Sequence, residues 1–205
     1  MFTVFVVDDD PGMIRALSRL LRVKGYDVRP FTSPHDFLSN HDALVPGCAI
    51  LDVYLPGLDG LELQQHLAAG KSCRPIIFMT AKGDIPMSVR AMRAGAVDFL
   101  TKPVSNKDLL AAIERAEVQD AKARQARAEL VAIEAKMASL TPREREVLSH
   151  VVAGRLSKQI AGDLGTAEKT IKFHRSAIMR KLGVRMVADL VRMVEKTREG
   201  AIHRY

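Results

Sequence analysis

The chain has 205 residues, 47% of them hydrophobic and 27% charged, and its 31 basic and 24 acidic side chains give a net charge of +7. This composition excludes a largely disordered protein, and the length fits one large domain or two small ones. Two cysteines are too few for a disulfide framework or a cysteine-based zinc site, and no apolar run approaches the roughly 18 residues of a membrane span.

The first half of the sequence alternates short apolar strands with amphipathic helices. Strands are predicted at Thr3–Val7, Asp27–Phe31, Cys48–Leu51, Ile76–Met79 and Val97–Leu100. Helices are predicted around Leu17, after Pro34, after Gly60 and before Gly95, where apolar residues recur at helical spacing. Five such strands separated by helices predict an α/β fold with a doubly wound, five-stranded parallel sheet.

Polar side chains that can take part in chemistry directly follow four of these strands. They are Asp8, Asp9 and Asp10 after the first strand, Asp52 after the third, Thr80 after the fourth and Lys102 after the fifth. Ligands of such sheets bind beyond the carboxyl ends of the strands. Clustered carboxylates repel one another and need a cation, and hard oxygen ligands suit Mg²⁺. A metal and Lys102 together neutralise a transferred phosphoryl group.

A long helix is predicted between the two halves of the chain. Residues 105–138 contain neither Gly nor Pro, and either Ser105 or Asn106 caps a helix that runs to about Met137. Its apolar residues follow a 3–4 alternation that Asp120, Arg127 and Glu134 interrupt. A solvated linker helix and a weak coiled coil therefore both remain open.

The positive charge lies in the last third of the chain. Residues 139–205 carry fourteen basic and seven acidic side chains, whereas residues 1–104 carry eleven of each. A basic surface of this kind is typical of binding to nucleic acid or to an anionic membrane, and charge alone fits a basic soluble domain without such a partner equally well.

Capping signals divide this basic segment into three helices. Thr141 and Glu144 form a capping box at the start of the first helix. Ser157 is predicted to cap the second helix, which Gly165 closes, and Thr166 to cap the third.

The third of these helices has two faces. One is apolar and consists of Ile171, Ile178 and Leu182, and the other is basic and polar and consists of Lys169, Lys172, Phe173, Ser176 and Arg180. A basic stripe with one apolar residue suits the major groove of double-stranded DNA. His174 is assigned to packing, since no second ligand stands at zinc spacing.

The first segment closely resembles the receiver domain of two-component response regulators. The matching strings are V-V-D-D-D at 6–10, L-D-V-Y-L-P-G-L-D-G at 51–60, M-T-A at 79–81, A-G-A-V-D-F at 94–99 and T-K-P at 101–103. The resemblance implies that Asp52 accepts phosphate from a sensor histidine kinase. It also implies a cis Lys102–Pro103 peptide.

The resemblance also assigns the metal ligands and the switch residues. Mg²⁺ (or Mn²⁺) would be held by Asp9, Asp52 and the backbone carbonyl of Tyr54, and by Asp8 through water. Thr80 and Lys102 would contact the phosphoryl group, and Phe99, which lacks the hydroxyl of a tyrosine, would turn inward with Thr80. Tyr54 and Lys82 depart from the commonest pattern, and two interpretations stay open: they border the path of the hydrolytic water, or they are only solvated residues at the rim of the site.

The last segment resembles the LuxR-type helix-turn-helix domain. The matching strings are L-T-P-R-E-R-E-V-L at 140–148, K-Q-I-A at 158–161 and K-T-I-K-F-H-R-S-A-I-M-R-K-L at 169–182. This resemblance places Lys172, Phe173 and Ser176 at base edges. The phosphate contacts it implies are Lys158, Thr170, Arg175 and Lys181.

The two segments together resemble the FixJ subgroup of the FixJ/NarL response regulators, and the string G-D-I-P-M-S-V-R-A-M-R-A-G-A at 83–96 also fits that subgroup. The domains would be a receiver at 1–118, a helical linker at 105–138 continuous with the last receiver helix, and a LuxR-type domain at 139–205. The function implied is a cytoplasmic, phosphorylation-activated regulator of transcription that acts on the transcription machinery and not at a membrane. Phosphorylation would produce a homodimer through a face that includes Val89, Arg90 and Arg93.

Two other functions are weighed against this one. A Mg²⁺-dependent phosphatase also uses an aspartyl nucleophile after a strand, but such an enzyme usually needs a second Asp two residues later, where this chain has Tyr54. A DNA-binding protein with a degenerate receiver would lack part of the set Asp9, Asp52, Thr80 and Lys102, which is complete here. The sequence therefore predicts a regulator rather than an enzyme.

Overall fold

The structure is a computed structural model that describes residues 1–70, 72–82 and 84–202. Gly83, the first residue of the string quoted for the FixJ subgroup, and residues 203–205, the end of the predicted LuxR-type domain, lie outside the described residues. The chain divides into two compact units, Met1–Arg124 and a second unit that begins at Gln125.

The first unit contains the predicted parallel sheet. Its strands are β1 (Thr3–Val7), β2 (Asp27–Phe31), β3 (Gly47–Leu51), β4 (Ile76–Thr80) and β5 (Asp98–Thr101). The spatial order is β2-β1-β3-β4-β5, and every neighbouring pair is parallel. The predicted fold class is therefore confirmed, with β5 beginning one residue later than expected.

Helices cover both faces of the sheet. They are α1 (Pro11–Val23), α2 (Pro34–Asn40), α3 (Gly60–Ala69), α4 (Ile85–Arg93) and α5 (Asn106–Ala138). Leu17 of α1 and Ile113 of α5 pack in one apolar layer, whereas Phe37 of α2, Leu63 of α3 and Ala91 of α4 pack in the other. The buried strands between these two layers explain why their sequences are almost wholly apolar.

The long helix α5 begins with a side-chain cap from Ser105, whose Oγ accepts the Asp108 N–H at 3.1 Å. Asp120 is buried, and its carboxylate accepts the Gly47 N–H. Burial raises the pKa of the Asp120 carboxyl, and the positive charges of Arg124 and Arg74 act against that rise. Asp120, one of the residues that interrupt the apolar alternation of α5, is therefore not solvated, because it packs at the amino end of the sheet.

The second unit begins within α5. The helices that follow are α6 (Pro142–Val152), α7 (Ser157–Asp163), α8 (Glu168–Leu182) and α9 (Val187–Ile202). The Thr141–Glu144 capping box is present as predicted. The two other predicted caps are wrong by one residue. Ser157 is the first residue of α7, which Leu156 precedes as the N-cap, and α8 begins after Ala167 rather than after Thr166.

Helix α9 was not predicted, although its apolar residues follow a helical spacing. Leu190 is buried, and Met193 and Val194 pack against the same core. That core also contains Val147 of α6 and Ile171 of α8, so α9 completes the apolar cluster of the second unit. No helix among the described residues is long and apolar enough to cross a membrane.

Candidate functional site

The carboxyl ends of β1 and β3 bring three carboxylates together. The two strands pair in register up to Val7 and Leu51, so the next residues of both strands lie side by side. Asp8, Asp9 and Asp52 each have an oxygen within 4.8 Å of the others. Asp8 and Asp52 are buried and Asp9 is exposed, so the cluster opens to solvent on one side.

Lys102 joins this cluster from the loop after β5. Its Nζ lies 2.7 Å from Asp8 Oδ2 and 2.7 Å from Asp52 Oδ2. Its backbone N–H donates to the Thr80 carbonyl at 2.7 Å, and the Lys102–Pro103 peptide is cis, as the resemblance implied. Burial alone would lower the pKa of the Lys102 amine, but hydrogen bonds to Asp52 and Asp8 outweigh burial and raise it. The Lys102 amine is therefore protonated and positively charged beside Asp52.

The remaining carboxylate oxygens of Asp8 and Asp52 are held by backbone amides. Asp8 Oδ1 accepts the Asp10 N–H at 2.9 Å, and Asp52 Oδ1 accepts the Tyr54 N–H at 3.1 Å. Three carboxylates of this kind are a hard oxygen donor set, which is compatible with Mg²⁺. The exposed Asp9 gives the set an open side.

The predicted switch residues lie beside this cluster. Thr80 is fully buried at the end of β4, and its Oγ1 accepts the Lys82 N–H at 3.4 Å. Phe99 is half-buried, with its ring 6.1 Å from that of Phe78. Tyr54 and Lys82 are exposed, as expected for residues at the rim of the site.

Gly60 has a role at this site that the sequence analysis missed. A Cβ at this position would lie 2.4 Å from the Asp52 carbonyl oxygen, a distance at which the backbone would have to shift. The Gly60 N–H also donates to the Val53 carbonyl at 2.9 Å. Gly60 therefore allows α3 to begin directly against the strand end that carries Asp52. The Asp59–Gly60 pair at the end of the string quoted at 51–60 was the signal in the sequence that could have pointed to this role.

The basic helix of the second unit is α8, and its two faces are as predicted. Ile171, Ile178 and Leu182 are buried. Lys169, Lys172, Phe173, Ser176 and Arg180 are exposed, and Phe173 keeps 68% of its surface in solvent. Helix α8 therefore has an apolar face in the core of the second unit and a basic, polar face in solvent.

The four predicted phosphate contacts differ in their surroundings. Lys158 and Thr170 are exposed, and Arg175 is half-buried with its Nη1 3.4 Å from the Arg155 carbonyl oxygen. Lys181 donates to the buried Glu144 carboxylate at 2.6 Å and to the Ser139 carbonyl at 3.3 Å. The hydrogen bond from Lys181, followed by that from the Thr141 N–H, lowers the pKa of the Glu144 carboxyl.

Comparisons with known proteins agree with both parts of this description. The family model for the response regulator receiver domain matches residues 4–114, and the model for bacterial regulatory proteins of the luxR family matches residues 138–194. Nodulation protein W of Bradyrhizobium diazoefficiens is 44% identical to this chain, over 98% of the chain and 88% of that protein. The transcriptional regulatory protein FixJ of the same organism is 40% identical over 93% of each.

A solved structure is similar over nearly the whole length. The response regulator StyR superposes with a TM-score of 0.81 at 48% identity, covering 95% of this chain and 98% of that one. The fold, the family models and these identities point to one conclusion. The chain belongs to the FixJ-like response regulators, which are phosphorylation-dependent transcription regulators of two-component systems that combine a receiver domain with a LuxR-type helix-turn-helix domain.

Proposed function

We propose that Asp52 is the phospho-acceptor of this regulator and that a sensor histidine kinase is the donor. The observation that carries the proposal is the Lys102 ammonium 2.7 Å from Asp52 Oδ2, at the end of a buried strand. In the transfer, an Asp52 oxygen bonds to phosphorus while the phosphorus–nitrogen bond of the kinase phosphohistidine breaks, and the released imidazole takes a proton. Lys102 stabilises the negative charge on the phosphoryl oxygens.

Asp9, Asp52 and the backbone carbonyl of Tyr54 would hold Mg²⁺ or Mn²⁺. Asp8 would act through water, which agrees with its two oxygens already accepting from Lys102 and the Asp10 N–H. When bound, the metal supplies positive charge to phosphoryl oxygens that the protein alone would leave under-neutralised.

The response to phosphorylation would begin at Thr80 and Phe99. Thr80 would bond a phosphoryl oxygen, and Phe99 would move inward as Thr80 shifts. The neighbouring α4 is suited to pass this change on, because Ala91 is its one fully buried residue within the part of the chain that the structure describes. Val89, Arg90 and Arg93 on α4 are exposed or nearly so and would form the contact of a phosphorylation-dependent homodimer.

The DNA-binding surface would be the exposed face of α8 with parts of α7. Lys172, Phe173 and Ser176 would contact base edges, and Lys158, Thr170 and Arg175 would contact phosphates. Lys181 can join them without leaving Glu144, because a lysine ammonium has three N–H donors and, among the described residues, Glu144 and Ser139 engage two of them.

The protein would act by binding rather than by turnover. The phosphoryl group on Asp52 would be a signal that a cytoplasmic receiver, taken as residues 1–118, relays along a linker at 105–138 to a DNA-binding domain at 139–205. The bound dimer would then act on the transcription machinery.

Mapping of genomic DNA fragments bound by the full-length protein, with and without acetyl phosphate and Mg²⁺, tests this function. We expect a small set of fragments to be enriched only in the phosphorylated sample. Equal enrichment in both samples would contradict phosphorylation-dependent DNA binding.

A further inference from the structure

The exposed face of α8 carries one acidic side chain among its cations. Glu168 is the first residue of α8, and its Oε1 lies 2.8 Å from Lys172 Nζ, one turn along the helix. The two side chains are 43% and 67% exposed. The hydrogen bond from Lys172, with a smaller attraction from Lys158, lowers the pKa of the Glu168 carboxyl, so it is anionic at neutral pH.

A carboxylate in this place opposes general attraction to DNA. Binding to the phosphate backbone grows with the net positive charge of the surface that meets it, and Glu168 cancels part of that charge. An exposed ion pair one helical turn apart contributes little to folding stability. The attraction of Glu168 to the positive end of the helix adds only about 0.3–1 kcal/mol, so stability offsets part of the cost to backbone binding, and a role in recognising bases would account for the rest.

The pair matches the major-groove edge of one kind of base pair. A G·C pair presents two acceptors on guanine, N7 and O6, followed by the N4 amino donor on cytosine. An A·T pair presents an acceptor, then a donor, then an acceptor. On G·C the ammonium can donate to both guanine acceptors while the carboxylate accepts from the cytosine amino group. On A·T the adenine offers the ammonium only N7, beside the amino donor, so the pair makes one hydrogen bond fewer.

We propose that Glu168 and Lys172 together recognise one G·C base pair, with Lys172 donating to guanine and Glu168 accepting from the cytosine amino group. This inference rests on the proposed DNA-binding function, and it adds Glu168 as a specificity-determining residue. The ion pair holds Lys172 over the base edge and away from the phosphates. Glu168 therefore makes binding more selective while making it weaker on random sequence.

The test uses full-length protein phosphorylated with acetyl phosphate and Mg²⁺, and duplexes selected by the wild type from a random library. Affinities are measured for the selected duplex, for all its single-base-pair variants and for random DNA. The proteins compared are the wild type, Glu168→Ala, Glu168→Gln and the control Glu146→Gln, which alters a similar exposed ion pair on α6, that with Arg143. Circular dichroism verifies the helix content of each.

We expect the wild type to prefer G·C roughly tenfold at one position. Glu168→Ala should lose that preference at that position alone and bind random DNA more tightly, because a negative charge is removed. Glu168→Gln should shift the preference towards A·T, since an amide pairs with adenine. Should Glu168→Ala lose helix content, the Gln variant carries the test. Glu146→Gln should match the wild type.

Three results would overturn the inference, and the third of them would also overturn the proposed DNA-binding function. Unchanged discrimination in both Glu168 variants would reject the inference and leave the proposed DNA-binding function intact. An A·T pair at the position that Glu168→Ala relaxes would reject the G·C assignment. A wild type that selects no sequence would reject the proposed function and the inference with it.

Discussion

The two functional regions of this chain handle charge in opposite ways. At the carboxyl end of the sheet, Asp8 and Asp52 are buried and share one ammonium, that of Lys102. On the exposed face of α8, Lys172 lies in solvent and pairs with Glu168 one turn away along the same helix. Buried charges depend strongly on their partners, whereas exposed charges interact weakly and are screened by salt.

This difference predicts two kinds of response to mutation. Residues that share partners behave as a unit, so removal of one should disable the whole receiver site. Residues on the open face of α8, apart from the Glu168–Lys172 pair, should act nearly independently, each with a modest and salt-dependent effect on DNA affinity. Loss of one residue of the receiver site is therefore expected to abolish phosphorylation. Loss of one residue on the exposed face of α8 is expected to reduce DNA affinity only in part.

The largest effect is expected from Asp52→Asn. This change keeps the side chain's size but removes the nucleophile, so incorporation of acid-labile phosphate from acetyl phosphate and Mg²⁺ should disappear. The matched control is Asp120→Asn, which alters another buried aspartate of the same unit at the opposite end of the sheet. Labelling should persist in the control, and labelling of Asp52→Asn at the wild-type level would show that the acceptor lies elsewhere.

A second prediction asks whether the buried site controls an exposed surface. Val89 on α4 is 40% exposed, and Val89→Asp should place a desolvated charge in the proposed dimer contact. We expect a loss of at least about 1.4 kcal/mol in dimer affinity, which is tenfold, with labelling of Asp52 intact. Sedimentation of phosphorylated and unphosphorylated protein measures this. A tight dimer of the unphosphorylated wild type would instead locate the contact in the helical segment 105–138.

Lys172→Ala tests the effect of a single exposed residue of α8 on DNA affinity. If Lys172 contacts a base, the variant should lose about 1–3 kcal/mol on the specific duplex and much less on random DNA. Fluorescence anisotropy with both duplexes gives the ratio. Equal losses on the two would make Lys172 a phosphate contact.

Lys158→Ala should give a smaller and less selective effect. A phosphate contact supplies affinity without sequence information, so binding to specific and random DNA should weaken by the same factor. The slope of log affinity against log salt should decrease by about 1. An unchanged slope would remove Lys158 from the DNA-binding surface.

The smallest effect is expected at the rim of the receiver site. Tyr54 is 53% exposed and adjoins the Asp52 carboxylate through its N–H. Its ring would screen the aspartyl phosphate from water, so Tyr54→Ala should shorten the half-life of the phosphorylated protein a few-fold. Loss of radiolabel over time measures it, with Tyr54→Phe expected to behave as wild type. An unchanged or longer half-life in Tyr54→Ala would contradict the screening role.

The receiver cluster was predictable because sheet geometry converts sequence position into proximity. Parallel strands end at one edge, so residues directly after apolar strands, such as Asp8, Asp52 and Lys102, had to meet. The caps at Ser157 and Thr166 were each wrong by one residue, in opposite directions, because α7 begins at Ser157 itself and α8 begins one residue later than a cap at Thr166 implies. In α7 the Gln159 side chain accepts the Leu156 N–H, so Leu156 takes the N-cap place.

Other features depend on packing that no local pattern records. Gly60 is needed because a backbone oxygen 2.4 Å from its would-be Cβ comes from Asp52, eight positions earlier in the sequence. In the sequence Asp120 only interrupts the apolar alternation of a helix, and the fold alone brings it to Gly47. Helix α9 did have a signal, since its apolar residues recur at helical spacing, but no turn chemistry marks its start.

The contacts of α5 with the amino end of the sheet bear on how this protein can be divided for biophysical work. Arg124 donates to the Leu44 carbonyl at 2.6 Å, and Asp120 accepts the Gly47 N–H. A receiver fragment cut where the family model ends, at residue 114, would lose both contacts and remove the stronger of the two carboxylate attractions on the buried Arg74 guanidinium, that of Asp120, leaving only that of Asp42. A fragment that ends just after Arg124 retains both contacts. We expect this fragment, residues 1–124, to unfold as one cooperative unit.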